Sequence, residues 1–192
     1  MALTMERLKN LIAEEGLQFF LDPERDALML SVSGLNGTYQ FLILLEMEGE
    51  FLQFRTMAYH ACAEDHRYVE ATLKLLGELN YQLRFVKFGW DPNDGEIVAY
   101  GDVWIMDGEL SPIQLTQMVQ GYMAVIDLNH SRIDATIRTG KDPGQSDPLA
   151  VAKEVEDAGL PPRLQSVVDD LLTRLEADAA EGDDEDTGFD VI

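Results

Sequence analysis

Cysteine occurs once in 192 residues, at Cys62. A single thiol excludes an intrachain disulfide, and the reducing cytosol is the compartment that suits such a chain. Positive charge is scarce too: 14 Lys+Arg stand against 36 Asp+Glu, a formal net charge of -22. Nucleic acid and anionic membrane surfaces would repel this chain, which excludes both as primary partners. Long apolar runs are missing. The longest block, Phe41 to Leu45, is stopped by Glu46, far short of the roughly 20 residues that span a bilayer. The stretch up to Phe20 carries Glu6, Arg7, Lys9, Glu14 and Glu15, unlike the unbroken apolar core of an export signal. GxGxxG, GxxxxGK, HExxH and GxSxG are all absent, so nucleotide binding and the common hydrolase chemistries have no anchor. The expectation is a soluble, cytoplasmic protein that is not an enzyme and uses no cofactor.

What is present suffices for a core. Hydrophobic residues make up 46% of the chain, too many for a wholly disordered protein. The negative charge is unevenly spread. Residues 1–142 hold 22 acids and 11 bases and residues 143–192 hold 14 and 3, so each part carries -11. Pro143, Gly144, Ser146 and Pro148 mark the joint, because neither Pro nor Gly supports a continuing helix there. Three parts are expected: a folded body over 1–142, a helical extension over 143–180, and an acidic disordered tail over 181–192. Within the extension, Leu164, Val167, Val168, Leu171, Leu172 and Leu175 fall on one helical face.

In the body, Thr4 is placed to cap a helix from about Met5 to Glu15, with Leu8, Leu11 and Ile12 as its apolar stripe and Gly16 as its stop. Short strands follow at Leu17 to Leu21 and around Leu28, Leu30 and Val32, and Asn36-Gly37 reads as a hairpin turn. The next strand, Tyr39 to Met47, is apolar on both faces, and Glu48-Gly49-Glu50 turns it into Phe51 to Met57. A second helix is expected from an Asp65 cap to Tyr81, with Val69, Leu73, Leu76 and Leu79 sharing a face. Strands at Arg84 to Phe88 and Glu96 to Met106 flank the turn Asp91 to Gly95. Ser111-Pro112-Ile113-Gln114 is a capping box with Pro at the first helical position, and it opens a third helix expected to break near Asn129. The order α-βββ(β)-α-ββ-α, rich in hairpins, implies an α+β fold: an antiparallel sheet with helices packed on one face.

That order, together with the Asp94-Gly95-Glu96 hairpin, the Asp107-Gly108-Glu109-Leu110-Ser111 break and the capped helix after it, resembles the YbjN-like family of bacterial domains, in particular its cyanobacterial type. The resemblance covers about Met5 to Arg138. It implies the fold of type III secretion chaperones and a small, acidic, usually homodimeric cytosolic protein that binds another polypeptide and performs no chemistry.

Three constellations remain to be weighed. His60, Cys62, Glu64, Asp65 and His66 are the one cluster of metal-ligand types, yet structural zinc normally needs four ligands in paired spacings and no second cysteine exists. A metal-dependent or cysteine-based enzyme centred on His60, Cys62 and His66 is the alternative reading; a nucleophile there would need an orienting group and an oxyanion donor that no spacing supplies. Asp91, Asn93, Asp94 and Glu96 resemble a calcium loop, but Gly95 comes one residue early and the twelfth position is Asp102 rather than Glu. No catalytic or metal residue is assigned. Binding is better motivated, because adaptable Met beside aromatic groups suits surfaces that accept a partner. The residues expected at a partner or dimer surface are Leu73, Leu76, Trp104, Met118 and Tyr122.

Overall fold

A computed structural model describes residues 3–22, 25–106 and 109–144; the expected extension and acidic tail, including the apolar stripe from Leu164 to Leu175, lie outside the described residues. The first helix, α1 (Met5–Glu14), starts where Thr4 Oγ1 accepts the Arg7 amide at 3.2 Å, and it buries Leu8, Leu11 and Ile12. Strands β1 (Phe19–Asp22), β2 (Ala27–Ser33) and β3 (Thr38–Glu46) form an antiparallel meander, with Phe19 opposite Leu30 and Ser33 opposite Thr38. A single 3-10 turn over Met47–Gly49 leads into β4 (Phe51–Met57), which runs antiparallel to β3. The two-residue strand β5 (His60–Ala61), helix α2 (Val69–Gln82), strands β6 (Val86–Trp90) and β7 (Glu96–Trp104), and helix α3 (Pro112–Thr139) complete the body.

The sheet is antiparallel, with β7 lying between β4 and β6. Strand β5 continues β4 along the same side of β7 after a bulge: Arg55 pairs with Tyr100 and His60 with Ile97. Five steps along one strand thus match three along the other, and Ala58, at φ 48°, carries the kink. Alternation then sorts the side chains. Leu28, Leu30, Phe41, Ile43, Leu52, Phe54, Phe88, Ile97 and Ala99 are buried in one core with Leu8, Leu11 and Ile12 of α1, Leu75, Leu76 and Leu79 of α2, and Leu115, Val119, Tyr122, Ile126 and Ile133 of α3. The expected α+β architecture is the observed one.

Where the bulge interrupts the ladder, side chains take over the backbone groups of Ala99. Thr56 Oγ1 accepts the Ala99 amide at 2.8 Å, and the Tyr122 hydroxyl donates to the Ala99 carbonyl at 2.8 Å. The Tyr122 ring is wedged between Phe41 and Phe54, with centroids 5.3 and 5.4 Å away, and burial pushes its hydroxyl well above the usual tyrosine range. Tyr122→Phe keeps the ring and removes one buried hydrogen bond, so chemical denaturation is expected to show a loss of about 1 kcal/mol. A variant as stable as the parent would contradict this.

Two expected helix features differ. Helix α2 begins at Val69, not Asp65, because two successive turns occupy the intervening residues: His66 N bonds Ala63 O at 3.0 Å, and Val69 N bonds His66 O at 3.0 Å. Asp65 therefore caps nothing, and the residue before the helix, Tyr68, makes no side-chain cap. Helix α3 runs through Asn129 without a break, since the Asn129 amide donates back to the Val125 carbonyl at 2.8 Å and is satisfied within the helix. The capping box is formed in both directions, Gln114 N to Ser111 Oγ at 3.2 Å and Ser111 N to Gln114 Oε1 at 3.0 Å. At the far end, nearly buried Arg132 grips Asp142 at 2.6 Å just past the helix, which holds the Asp142 carboxyl below its ordinary range. Among the described residues no helix is long and apolar enough to cross a membrane.

Candidate partner-binding surface

All three helices contribute to the core on one side of the sheet, so the opposite side is built from the alternate residues of each strand. The pairings set Met29, Leu42, Arg55, Tyr100 and Lys87 in one row across it. Its middle is polar, with Gln53 donating to Asp102 at 2.8 Å and Arg55 lying 3.6 Å from Glu96. One corner is not. There Phe51 and Trp104 face each other with ring centroids 4.9 Å apart, and Trp104 is 57% exposed. Met47 and Met106 are exposed at the same corner, brought together because the Glu50 carbonyl accepts both Ile105 N and Met106 N while Glu50 N donates to Met47 O.

Around the edge of this corner opens a cleft of about 540 Å³, lined by Phe85, Trp104, Ile105, Glu109, Leu110, Gln114 and Met118 among others. Its floor depends on a glycine. The Phe85 ring lies over Gly101, where a Cβ would come within 2.8 Å of it, and it meets Phe54 edge-on at 5.8 Å. The capping box fixes the start of α3, which brings Gln114 and Met118 to the rim. Apolar walls with a few amides and one carboxylate can bury an apolar side chain and orient its backbone.

Of the residues expected at this surface, Trp104 and Met118 line the cleft together, and Leu73 is 36% exposed on α2. Leu76 and Tyr122 are core residues, at 3% and 0% exposure. The stripe of α2 is turned by one position from the expected one: Thr72, Leu75, Leu76 and Leu79 face inward, which puts Leu73 outside. Phe51, Phe85 and Leu110 escaped sequence reasoning, because only the strand register shows that Phe51 meets Trp104.

The His60–His66 segment is not assembled as a catalytic constellation. The Cys62 thiol is buried and donates to Thr72 Oγ1 at 3.8 Å, while His66 Nδ1 accepts the Tyr68 amide at 3.2 Å. Glu64, Asp65 and Asp94 border a shallow depression, but no group of three His, Cys, Asp or Glu that could hold a metal occurs among the described residues. In the calcium-like turn, Asp91 and Asp94 instead accept the amides of Asn93 and Glu96 at 2.8 and 2.9 Å.

His60 has a different neighbourhood, absent from the sequence reading. Its ring packs 4.4 Å from His130 and 4.5 Å from Tyr59, and its Nε2 is buried with no hydrogen-bond partner. Burial, seconded by the charge of His130, lowers its pKa to about 4, against an opposing pull from Asp134 and the His130 backbone. Beside it, the Tyr59 hydroxyl donates to the Ile126 carbonyl at 2.6 Å. Asp127, one residue on, accepts the Leu35 amide at 2.9 Å and both the Asn36 amide and the Tyr39 hydroxyl at 2.8 Å. Gly34 is required here, since any Cβ would collide with the Asp127 carboxylate. The β2–β3 hairpin is thus clasped to the middle of α3. An Asp between Ile126 and Leu128 was the available signal.

A family model described as YbjN, "Putative bacterial sensory transduction regulator", matches residues 4–134. No curated protein matches the chain. Among solved structures, the chain is similar to YbjN from E. coli, "a putative transcription regulator", at 19% identity over 72% of this chain and 95% of that one, with a TM-score of 0.53. It is also similar to the ExsC–ExsE complex, at 16% identity over 69% of this chain and 97% of that one with a TM-score of 0.48. A further likeness is to ExoU–SpcU, a heterodimeric complex from the type III secretion system of Pseudomonas aeruginosa, at 19% identity over 65% and 92% with a TM-score of 0.41. With the family match reaching from the cap of α1 almost to the end of α3, the chain belongs to the YbjN family.

Proposed function

We propose that this chain is a non-catalytic protein-binding module, chaperone-like or regulatory, that takes a segment of another polypeptide at the corner formed by Phe51, Trp104 and Met118. The observation that carries this reading is the exposed Trp104 beside an apolar cleft. Trp is the residue type most enriched among binding hot spots, and Met adapts its shape to what it meets. The family's description as a sensory transduction regulator supports a regulatory role. Net charge decides how such regulation would act: a body carrying -11 repels nucleic acid, so its influence passes through a protein partner. A homodimer in the cytoplasm is the form proposed, with Leu73, 36% exposed on α2, at its contact.

Trp104→Ala and Met118→Ala are the test. Trp104→Ala removes an exposed ring and should change thermal stability little, whereas Met118→Ala trims a side chain partly buried against the core and should lower it modestly; affinity for a partner recovered with the parent protein should fall at least about 30-fold for Trp104→Ala, the loss typical of a hot-spot Trp. Unchanged affinity in both variants would overturn the proposed site. Light scattering of the parent protein tests the dimer, and a monomer at every concentration would contradict it.

A further inference from the structure

The negative charge of the body is concentrated. Residues 26–54 hold 4 acids and residues 88–131 hold 7, and neither stretch contains a Lys or Arg, whereas the rest of 1–142 holds 11 acids and 11 bases. The whole -11 of the body therefore resides on these two stretches. They are the ones that the sheet brings together at the Trp104 corner. Glu46 lies opposite Phe51, which lies opposite Trp104, so the three share one row of the sheet. Asp102, two residues before Trp104, is on the same face by the period of a strand, and Glu109 lines the cleft. Glu46, Asp102 and Glu109 are exposed, and among the described residues none of them has an ion-pair partner. Along the paired strands β4 and β7 the first base reached from Trp104 is Arg55, two rows away and 3.6 Å from Glu96. Arg84, beside Phe85 in the chain, sets one positive charge against these carboxylates.

Partners meet with complementary potentials, because like charges brought together at an interface oppose binding. We propose that the segment docked at this corner is cationic, with an apolar side chain for the cleft and flanking Lys or Arg for Glu46, Asp102 and Glu109. This rests on the reading of the corner as a docking site and adds the partner's chemistry to it. The exposed Trp104 ring serves the same end, since an indole face attracts an Arg guanidinium directly. Phe51, 4.9 Å away, supports that ring from one side.

Two labelled synthetic peptides with the same Leu-Phe-Leu anchor, one flanked by Lys and Arg and the other by Gln and Ser, test this by fluorescence anisotropy with the full chain. The parent is expected to bind the cationic peptide at least about tenfold more tightly, the factor that a few exposed charge pairs supply together. The corner variant Glu46→Gln, Asp102→Asn, Glu109→Gln should remove that preference. The control variant Glu64→Gln, Asp65→Asn, Glu70→Gln changes the net charge equally and should keep it. Its sites follow Ala61, which pairs with Glu96, about 26 Å along β7 from Trp104. Equal affinity of the parent for both peptides, with both weakened by Trp104→Ala, would leave the docking site standing and overturn the cationic segment. Peptides that bind but ignore Trp104→Ala would overturn the docking site and this proposal with it. A preference that the control variant removes as fully as the corner variant would assign it to net charge alone and overturn the proposal. So would a cationic peptide that the parent does not bind.

Discussion

Asp127→Ala is expected to lower the stability of the body by about 3 kcal/mol, measured as the shift in a urea or guanidinium transition at neutral pH. The carboxylate is only 7% exposed, and its oxygens receive the Leu35 and Asn36 amides and the Tyr39 hydroxyl. Truncation leaves three donors without their acceptor, each at a cost of about 1 kcal/mol or more. The hairpin then stays tied to α3 only through the Asn36 side chain, which bonds the main-chain carbonyl of residue 127 at 3.1 Å and Ser131 at 3.0 Å and keeps both partners. Asp127→Asn should recover part of the loss, since one oxygen remains while an NH2 group meets donors where an acceptor stood. A Asp127→Ala variant within about 0.5 kcal/mol of the parent, the range of an ordinary surface substitution, would contradict the clasp.

Acid should weaken the fold through His60 in a window above that of the carboxylates. Its folded pKa is about 4 against an ordinary value of 6.5, so between these values the unfolded chain binds the proton and the folded chain does not. The contribution of neutral His60 is therefore fully present above pH 6.5, declines as the pH falls, and is lost by about pH 4. A difference of this size corresponds to at most about 3 kcal/mol. The groups around the ring set the direction: Tyr59 and His130 exclude water and add no acceptor for Nε2, and Asp134 opposes them only in part. Asp142, bound to Arg132, contributes in the same sense, but as its folded pKa is depressed its share goes at lower pH, below the ordinary carboxylate range. His60→Leu should flatten the stability profile between pH 6.5 and 4 while leaving the more acidic limb in place. A parent profile and a variant profile that run parallel through this window would refute the assignment.

The fold was legible where one residue decides the local conformation. Thr4, Gly16, the Asn36-Gly37 turn and the Ser111–Gln114 box each act within a few residues, and each is found as read. Trp104 and Met118 were read as surface residues; Trp104 is 57% exposed, while Met118 is partly buried against the core. What could not be read depends on pairing between distant segments. The partner of Trp104 is Phe51 through a register of β4 on β7, and the bond between Asp127 and the hairpin spans about ninety positions. The face of α2 was misassigned by one position because Val69, Leu73, Leu75, Leu76 and Leu79 fit two overlapping stripes, and the neighbouring β6 and α3 choose between them. Leu76 belongs to both stripes and is buried, whereas Leu73 belongs to the rejected one. Tyr122 misled for another reason: an aromatic ring with a hydroxyl reads as surface-active, but Ala99 supplies the acceptor that lets it sit in the core.

The central claim is that a polypeptide partner docks at the Trp104 corner. A photo-activatable phenylalanine analogue placed at position 104, and separately at Leu128, tests it most directly. Leu128 is 43% exposed and lies ten residues, about 15 Å, along α3 from Met118. Irradiation in the source cell is expected to give a discrete adduct with one other protein from position 104, an adduct that Met118→Asp removes, and none of that mass from position 128. The same adducts from both positions, or none from position 104, would contradict the account.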